Sequence, residues 1–415
     1  MCVPSDKALE FLNDEFGIFF HFGIRTFNEY NRDWDGKSME LETFNPTELD
    51  CRQWISEIKK FGAKYAVLTT KHHDGFALWP SAYTDYCVKN TPWKNGKGDV
   101  VREFTDACRE YGIKIGLYYS CAQFSTKDMT NGQYNDFVAG QLHELFGGSY
   151  GKIDEIWFDG CGSEGFDFDA DRMENILREL QPEALIFGGW GNDIGWIGNE
   201  WGVAPLDNTN NGTYKGEAKF IPNECDCTMI RKNAENFWFY NEEHREYIRT
   251  ADELVGMYYN TIGRGANLLL NISPDRRGLL PQQEIDVIGE AYREIKRRFT
   301  ECRLPFKLNE PYTANGKKCY VCSSDRNFLA NQCMITENLA DGEHIRSFTL
   351  YANPVNTERY DSGVMIYRGL TVGHKQICTF PTIRCKGLTV VLDDADDAAQ
   401  ISEMFAVYTE SPQIN

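Results

Sequence analysis

Short apolar runs alternate with amphipathic stripes along the first 300 residues, and that alternation sets the architecture. Phe16 to Phe22 reads as a strand; Asp50 then caps a helix whose Trp54, Ile58 and Phe61 share one face before Gly62 stops it. Lys64 to Thr70 is the next strand, and Asp99 opens a helix carrying Val101, Phe104, Cys108 and Tyr111, closed by Gly112. Ile113 to Ser120, a helix around Tyr134 to Phe146, Ile153 to Asp159 and a helix around Asp171 to Leu180 continue the pattern. Strands apolar on both sides, each followed by an amphipathic helix, predict parallel pairing with helices covering the sheet. Four such units arrive in order, no GxGxxG follows the first strand, and polar or aromatic residues cluster after several strands rather than one. A closed (β/α)8-like barrel is therefore expected over an open sheet.

From Leu185 to Thr250 the pattern dissolves into loops rich in Gly, Asn and Trp, where function is expected to reside. Regularity returns with a helix from about Ala251 to Ile262, the strand Asn267 to Ile272, and a helix bearing Ile285, Ile288, Tyr292, Ile295 and Phe299. Beyond Pro305 helical stripes vanish. Short alternating runs at Ile345 to Tyr351, Gly363 to Tyr367 and Leu388 to Leu392 predict a separate all-β domain, which divides the chain into a barrel over 1–302 and a β domain over 303–415.

The 415 residues suffice for one large barrel with an appendage. A formal charge of -19 argues against nucleic acid, whose binding draws on Lys and Arg facing phosphates, and suits a neutral ligand. No run approaches the roughly 18 apolar residues of a membrane helix, and the first residues lack a basic region followed by an apolar one. The expectation is a soluble, unexported, cytoplasmic chain with no membrane partner. Fourteen scattered cysteines in so long a chain fit reduced thiols. Cys319 and Cys322 form a CxxC without the second pair that a four-thiolate zinc site needs.

A barrel enzyme places its chemistry at strand ends. Here those ends are His21-Phe22-Gly23, Lys71-His72-His73-Asp74-Gly75-Phe76 with Trp79 beyond, Tyr118-Tyr119-Ser120 and Asp159-Gly160. His72 and His73, as strand neighbours, point opposite ways, so at least one is expected to meet a ligand. No HExxH is present, and one loop of His-His-Asp does not supply separated metal ligands. Trp79 could stack on an apolar sugar face or belong to the core. Asp159 closes the apolar strand Ile156-Trp157-Phe158, and a carboxylate there costs desolvation energy unless partnered. Such a group can be a nucleophile in glycosyl transfer, which needs a second carboxyl as proton donor. Glu224, in Pro222-Asn223-Glu224-Cys225-Asp226, and Glu200, in Gly198-Asn199-Glu200-Trp201, are the candidates, and the residues alone do not divide them.

Three long stretches in order, Gly17 to Gly23, Lys64 to Ser81 and Ile156 to Gly160, resemble the α-L-fucosidases of glycoside hydrolase family 29, across most of residues 10 to 300. The resemblance implies a retaining exo-hydrolase on a (β/α) barrel with a C-terminal β-sandwich, working without metal or other cofactor on a fucosylated oligosaccharide or glycoconjugate. Asp159 falls on the family's nucleophile. His21, His72, His73, Trp79 and Tyr119 fall on positions lining the fucose pocket, and Asp33-Trp34 resembles a Glu-Trp pair that also touches the sugar.

Trp196 to Glu200, Pro222 to Asp226, Trp238-Phe239-Tyr240, Gly265 to Asn271 and Pro274 to Gly278 resemble the branch restricted to α-1,3 and α-1,4 fucose on Lewis-type glycans, rather than the branch tolerant of simple fucosides. That resemblance implies Glu224 as acid/base, with Glu200, Arg231 and Trp238 among the substrate contacts. Asn236-Phe237 with an insertion, and Thr228-Met229-Ile230, depart from that branch's pattern. Two other readings make distinct demands: a non-catalytic fucose-binding module predicts a missing carboxylate, and a metallohydrolase using His72, His73 and Asp159 predicts loss of activity with chelator.

Overall fold

Alternate side chains on each early strand enter different cores, and this parity builds the molecule. Phe19, Tyr118 and Trp157 meet inside a ring of strands, while Ile18, Phe20, Leu117 and Ile156 pack outward against helices. The computed structural model describes residues 2–27, 38–122, 129–161, 166–188, 193–233, 235–353 and 363–410. Eight parallel strands lie in the order β5-β4-β3-β2-β1-β12-β9-β6. They are β1 (Phe16–Phe20), β2 (Tyr65–Lys71), β3 (Lys114–Ser120), β4 (Glu155–Asp159), β5 (Leu185–Phe187), β6 (Gly195–Trp196), β9 (Asn223–Thr228) and β12 (Asn267–Asn271). Among the described residues a parallel bridge from Phe187 to Ile194 joins the two edges, so the barrel is nearly closed.

The helices begin where capping chemistry predicts. After α1 (Asp6–Asp14), Asp50 accepts from the Arg52 and Gln53 amides at the start of α2 (Cys51–Lys60), and Asp99 accepts from the Arg102 amide to open α3 (Val100–Tyr111). α4 (Asn131–Phe146), α5 (Ala170–Leu180), α6 (Ala251–Asn260) and α7 (Gln282–Lys296) complete the outer layer. Among the described residues no helix is long and apolar enough to cross a membrane.

The segment expected as loops, 185–250, instead contributes three barrel strands, besides the hairpin β7 (Asn211–Tyr214) and β8 (Glu217–Phe220) and the pair β10 (Ile230–Lys232) and β11 (Glu235–Phe237). β5 and β6 are too short to show a pattern. β9 reads Asn-Glu-Cys-Asp-Cys-Thr, with acids where an apolar run would be sought, because its alternate residues line the barrel interior rather than a hydrocarbon core.

Beyond α7 lies an antiparallel β-sheet domain of β13 (Lys307–Leu308), β14 (Tyr312–Ala314), β15 (Lys317–Glu337), β16 (Ile345–Asn353), β17 (Val364–Gly369), β18 (Gln376–Ala395) and β19 (Ile401–Val407), with its own apolar cluster. The long β15 bends at two bulges in its pairing with β18. Cys319 and Cys322 both lie on β15, and all fourteen cysteines are free thiols. This domain also braces the barrel: the Glu343 carboxylate accepts from the Thr209 hydroxyl and from the Asn210 amide and side chain, fixing the loop before β7.

Candidate active site

Barrel parity sends Asp159 inward at the end of β4, into a cavity of about 1040 Å³ over the C-terminal ends of the strands. The Tyr118 hydroxyl donates to its Oδ2 at 2.8 Å and the Gly160 amide to its Oδ1 at 2.6 Å. His73 approaches the same Oδ2 through Nε2 at 3.5 Å, with Nδ1 set 2.6 Å from the Ser120 hydroxyl. Burial pulls the His73 imidazole below its ordinary pKa against the opposing pull of Asp159. Gly160 turns the chain with φ +63°, and a Cβ there would stand 2.8 Å from Ala122 Cβ, so this position requires glycine.

His21, one residue past β1, is buried and its pKa is pushed down to about 3, chiefly by that burial. Asn271 Oδ1 lies 2.8 Å from His21 Nδ1, while Asn271 Nδ2 donates to the Trp238 carbonyl. The amide orientation makes His21 Nδ1 the donor, leaving Nε2 an acceptor on a neutral ring. The Trp238 ring lies 4.8 Å from His21, and the His72 ring is parallel to Tyr118 at 5.6 Å. His21, His72, Tyr118 and Trp238 line the cavity, with Asn271 behind them.

Two further carboxyls share that wall. Glu200 sits on a tight turn with φ +51°, between Gly198 at +81° and Gly202 at +68°; a left-handed glutamate is a strained conformation of the kind that concentrates at functional sites. Asn236 Nδ2 holds its backbone carbonyl at 3.0 Å, and its side chain is raised in pKa by burial and, oppositely to the Asn236 contact, by the charge of Asp159. Asp226, on β9, accepts from Trp196 Nε1 at 2.9 Å and is pushed up to about 7, first by burial, with Glu200 and Asp159 adding to the rise. Three carboxyls thus feel one another across one cavity.

Glu224 does not line that cavity, although the charge of Asp226 reaches it. It points into the same barrel one layer lower than Asp226, wholly buried, and accepts from the Tyr65 hydroxyl at 2.6 Å and from Trp157 Nε1 at 3.1 Å. Gly17 makes room for this, since a Cβ there would stand 2.3 Å from the Tyr65 ring. Trp157 itself forms the cavity floor, stacked at 3.9 Å on Phe187. Glu224 therefore lies beneath the floor, where a substrate oxygen has no access.

Other expected contacts also divide. Trp79 is buried in the outer core with Nε1 on Glu144 at 2.8 Å. Tyr119 faces outward, its hydroxyl on Gln141 at 2.7 Å and Lys71 above its ring. Neither lines the cavity; the adjacent Tyr118 does, because strand neighbours face opposite ways. Arg231 does not line the cavity; it donates to the Asn233 carbonyl, and its guanidinium lies 5.6 Å from the ring of the cavity residue Trp201. Asp33 and Trp34 lie outside the described residues. Tyr118, Trp157, Asp226, Trp196 and Trp201 are cavity residues not singled out individually from the sequence. Among the described residues no three His, Cys, Asp or Glu side chains are grouped to hold a metal ion.

Buried acids with raised pKa make stability depend on pH. Glu224 is pushed up to about 8 and Asp226 to about 7, both by burial. In the unfolded chain such groups ionise at about 4. The folded state then binds more protons between those values, so this contribution is complete below about pH 4 and is lost as pH rises through 7 to 8. The melting temperature is expected to fall from mildly acidic to mildly alkaline pH, and Glu224→Gln to flatten the upper part of that slope. An equally steep fall in the variant contradicts the linkage.

A family profile described as Alpha-L-fucosidase matches residues 5–291. Alpha-L-fucosidase 1 of Arabidopsis thaliana is 31% identical over 95% of this chain and 85% of its own length. The crystal structure of a putative alpha-L-fucosidase from Bacteroides thetaiotaomicron superposes with a TM-score of 0.88 at 33% identity, covering 99% of this chain and 98% of the other. A GH29 fucosidase of Ruminococcus gnavus, solved in complex with fucose, has the same fold, with a TM-score of 0.85 at 23% identity over 99% of this chain and 95% of the other.

Proposed function

The chain belongs to the α-L-fucosidase family, glycoside hydrolase family 29, and from that premise we propose that it releases L-fucose from α-1,3- and α-1,4-fucosylated, Lewis-type glycans, with Asp159 as nucleophile and Glu200 as acid/base. The observation that carries the assignment is that Asp159 and Glu200 line one cavity and act on each other electrostatically, whereas Glu224 is sealed beneath it.

The chemistry is a double displacement. Asp159 attacks the anomeric carbon of fucose while Glu200 protonates the leaving oxygen; Glu200 then takes a proton from water, which attacks the fucosyl-enzyme ester and releases α-L-fucose with Asp159 restored. Tyr118 and the Gly160 amide aim the Asp159 oxygens. Burial and the charge of Asp159 keep Glu200 protonated to a higher pH than an ordinary glutamate, as an acid requires. Loss of the Asp159 charge on forming the ester removes one cause of that elevation, so Glu200 becomes the base for the second step. His21 Nε2 accepts from a sugar hydroxyl, His72 and His73 bind further hydroxyls, and Trp157 and Trp238 wall the fucose methyl.

The linkage proposal rests on the space beyond the fucose. Pockets that hold drug-sized ligands span roughly 300–1,000 Å³, and at about 1040 Å³ this cavity is larger than one deoxy sugar needs. Trp196 and Trp201, 52% and 51% exposed on its wall, offer aromatic faces to the sugars of a branched leaving group. Assay of Lewis-type trisaccharides beside an aryl α-L-fucoside and α-1,2- and α-1,6-linked oligosaccharides is expected to give the highest kcat/KM for the α-1,3 and α-1,4 linkages. Trp201→Ala should raise KM for the trisaccharides by up to about tenfold and more than for the aryl substrate. Preference for an α-1,2 or α-1,6 linkage replaces this reading with that of a broad-specificity fucosidase.

A further inference from the structure

The thiols of Cys121 and Cys161 lie 3.2 Å apart, just past the ends of adjacent strands β3 and β4. Cys161 is on the cavity wall and Cys121, 1% exposed, lies behind it. Of the fourteen cysteines only Cys161 and Cys302 are not fully buried, and the Cys302 sulfur meets the Arg297 guanidinium rather than a second thiol. The pair is tied directly to the site, because the Cys121 amide donates to the Asp159 carbonyl at 2.8 Å.

We propose that Cys121 and Cys161 form a dithiol modification site on the cavity wall, which takes small disulfide compounds by exchange and closes to an intramolecular disulfide that disables the enzyme. The Cys161 thiolate attacks one sulfur of the reagent and expels the first thiolate, leaving a mixed disulfide. Cys121 then loses its proton, attacks Cys161 Sγ and expels the second. The protein is oxidised by two electrons and the reagent disulfide is reduced to two thiols. Burial and the neighbouring Cys121 sulfur hold the Cys161 thiol well above its ordinary pKa, so exchange is slow at neutral pH and accelerates as pH rises.

Closure matters because a disulfide spans about 2.05 Å between sulfurs, and the contraction of roughly 1 Å must be absorbed by the segments that bear it. One is the Asp159-Gly160 turn, which packs beside Ala122, the residue that follows Cys121. A shift of about 1 Å in a reacting group costs about 10²-fold in rate.

The test treats the whole chain with 2,2'-dithiodipyridine at mildly alkaline pH, followed by peptide mass mapping and by assay on an aryl α-L-fucoside. Expected are a Cys121–Cys161 linked peptide, a loss of activity of about 10²-fold, and recovery with dithiothreitol. Cys302→Ser should close in the same way, and Cys121→Ser should stop at a mixed disulfide on Cys161. Absence of the linked peptide, or linkage with undiminished turnover, overturns the proposal. So does a loss of activity that tracks a different cysteine pair. The mass readout does not depend on which carboxyl is the acid/base, so failure here and failure of the Glu200 assignment are separable.

Discussion

Asn in place of Asp159 lowers turnover of an aryl α-L-fucoside on the order of 10⁴-fold, while KM changes far less. The substitution is nearly isosteric: the new side-chain oxygen can still accept from the Gly160 amide, while the NH2 can donate to the Tyr118 hydroxyl oxygen. Burial of the surrounding strand is unaltered, so the loss reports the missing nucleophile rather than a disturbed fold. Asp159→Gly adds a stereochemical readout. With the carboxylate gone, azide entering its space attacks the anomeric carbon directly and gives the β-L-fucosyl azide, inverted relative to the substrate. Product configuration by NMR checks this, and turnover within tenfold of the parent in either variant removes Asp159 from the mechanism.

The barrel was legible because its early strands carry side chains that are apolar on both faces, which only a covered parallel sheet accommodates. Asp159 was legible for a related reason: one carboxylate ends such a strand, and parity sends it inward with Trp157 and Glu155. His21, His72, His73, Glu200 and Trp238 also line the cavity, whereas other expected contacts leave it where one residue of register decides the face. Tyr118 and Tyr119 are chemically equivalent in the sequence, and only the ring of strands assigns the first to the cavity and the second to the helices. Trp79 beside Pro80 looks like a sugar platform until Glu144, on α4, is found to bind its indole nitrogen. Glu224 and Asp226 share a face two residues apart, yet the rise along β9 carries one to the cavity and leaves the other under Trp157. Glu200 had the opposite difficulty: its turn is defined by left-handed backbone at Gly198, Glu200 and Gly202, a property of torsion angles rather than composition.

The three acids that sequence motifs bring near each other separate sharply under mutation. Glu200→Ala is expected to cut kcat/KM for a trisaccharide about 10²- to 10⁴-fold, and far less for an aryl fucoside whose leaving group needs no proton. Its fucosyl-enzyme still forms on Asp159, so azide in the vacated space restores turnover and yields the α-L-fucosyl azide, of opposite configuration to the product of Asp159→Gly. The alkaline limb of the pH profile, which reports the raised Glu200 carboxyl, should disappear in the same variant. Glu224→Gln gives neither azide product nor a leaving-group-dependent loss, because its buried oxygens are held by the Tyr65 hydroxyl and the Trp157 indole. Asp226 is the sharper rival: it lines the cavity and its carboxyl is pushed up to about 7, but it is 4% exposed and locked to the Trp196 indole, with little freedom to follow a leaving oxygen and then a water. Azide rescue with the α product in Asp226→Ala, and its absence in Glu200→Ala, transfers the acid/base role to Asp226; rescue in Glu224→Ala transfers it below the floor and requires Trp157 to move.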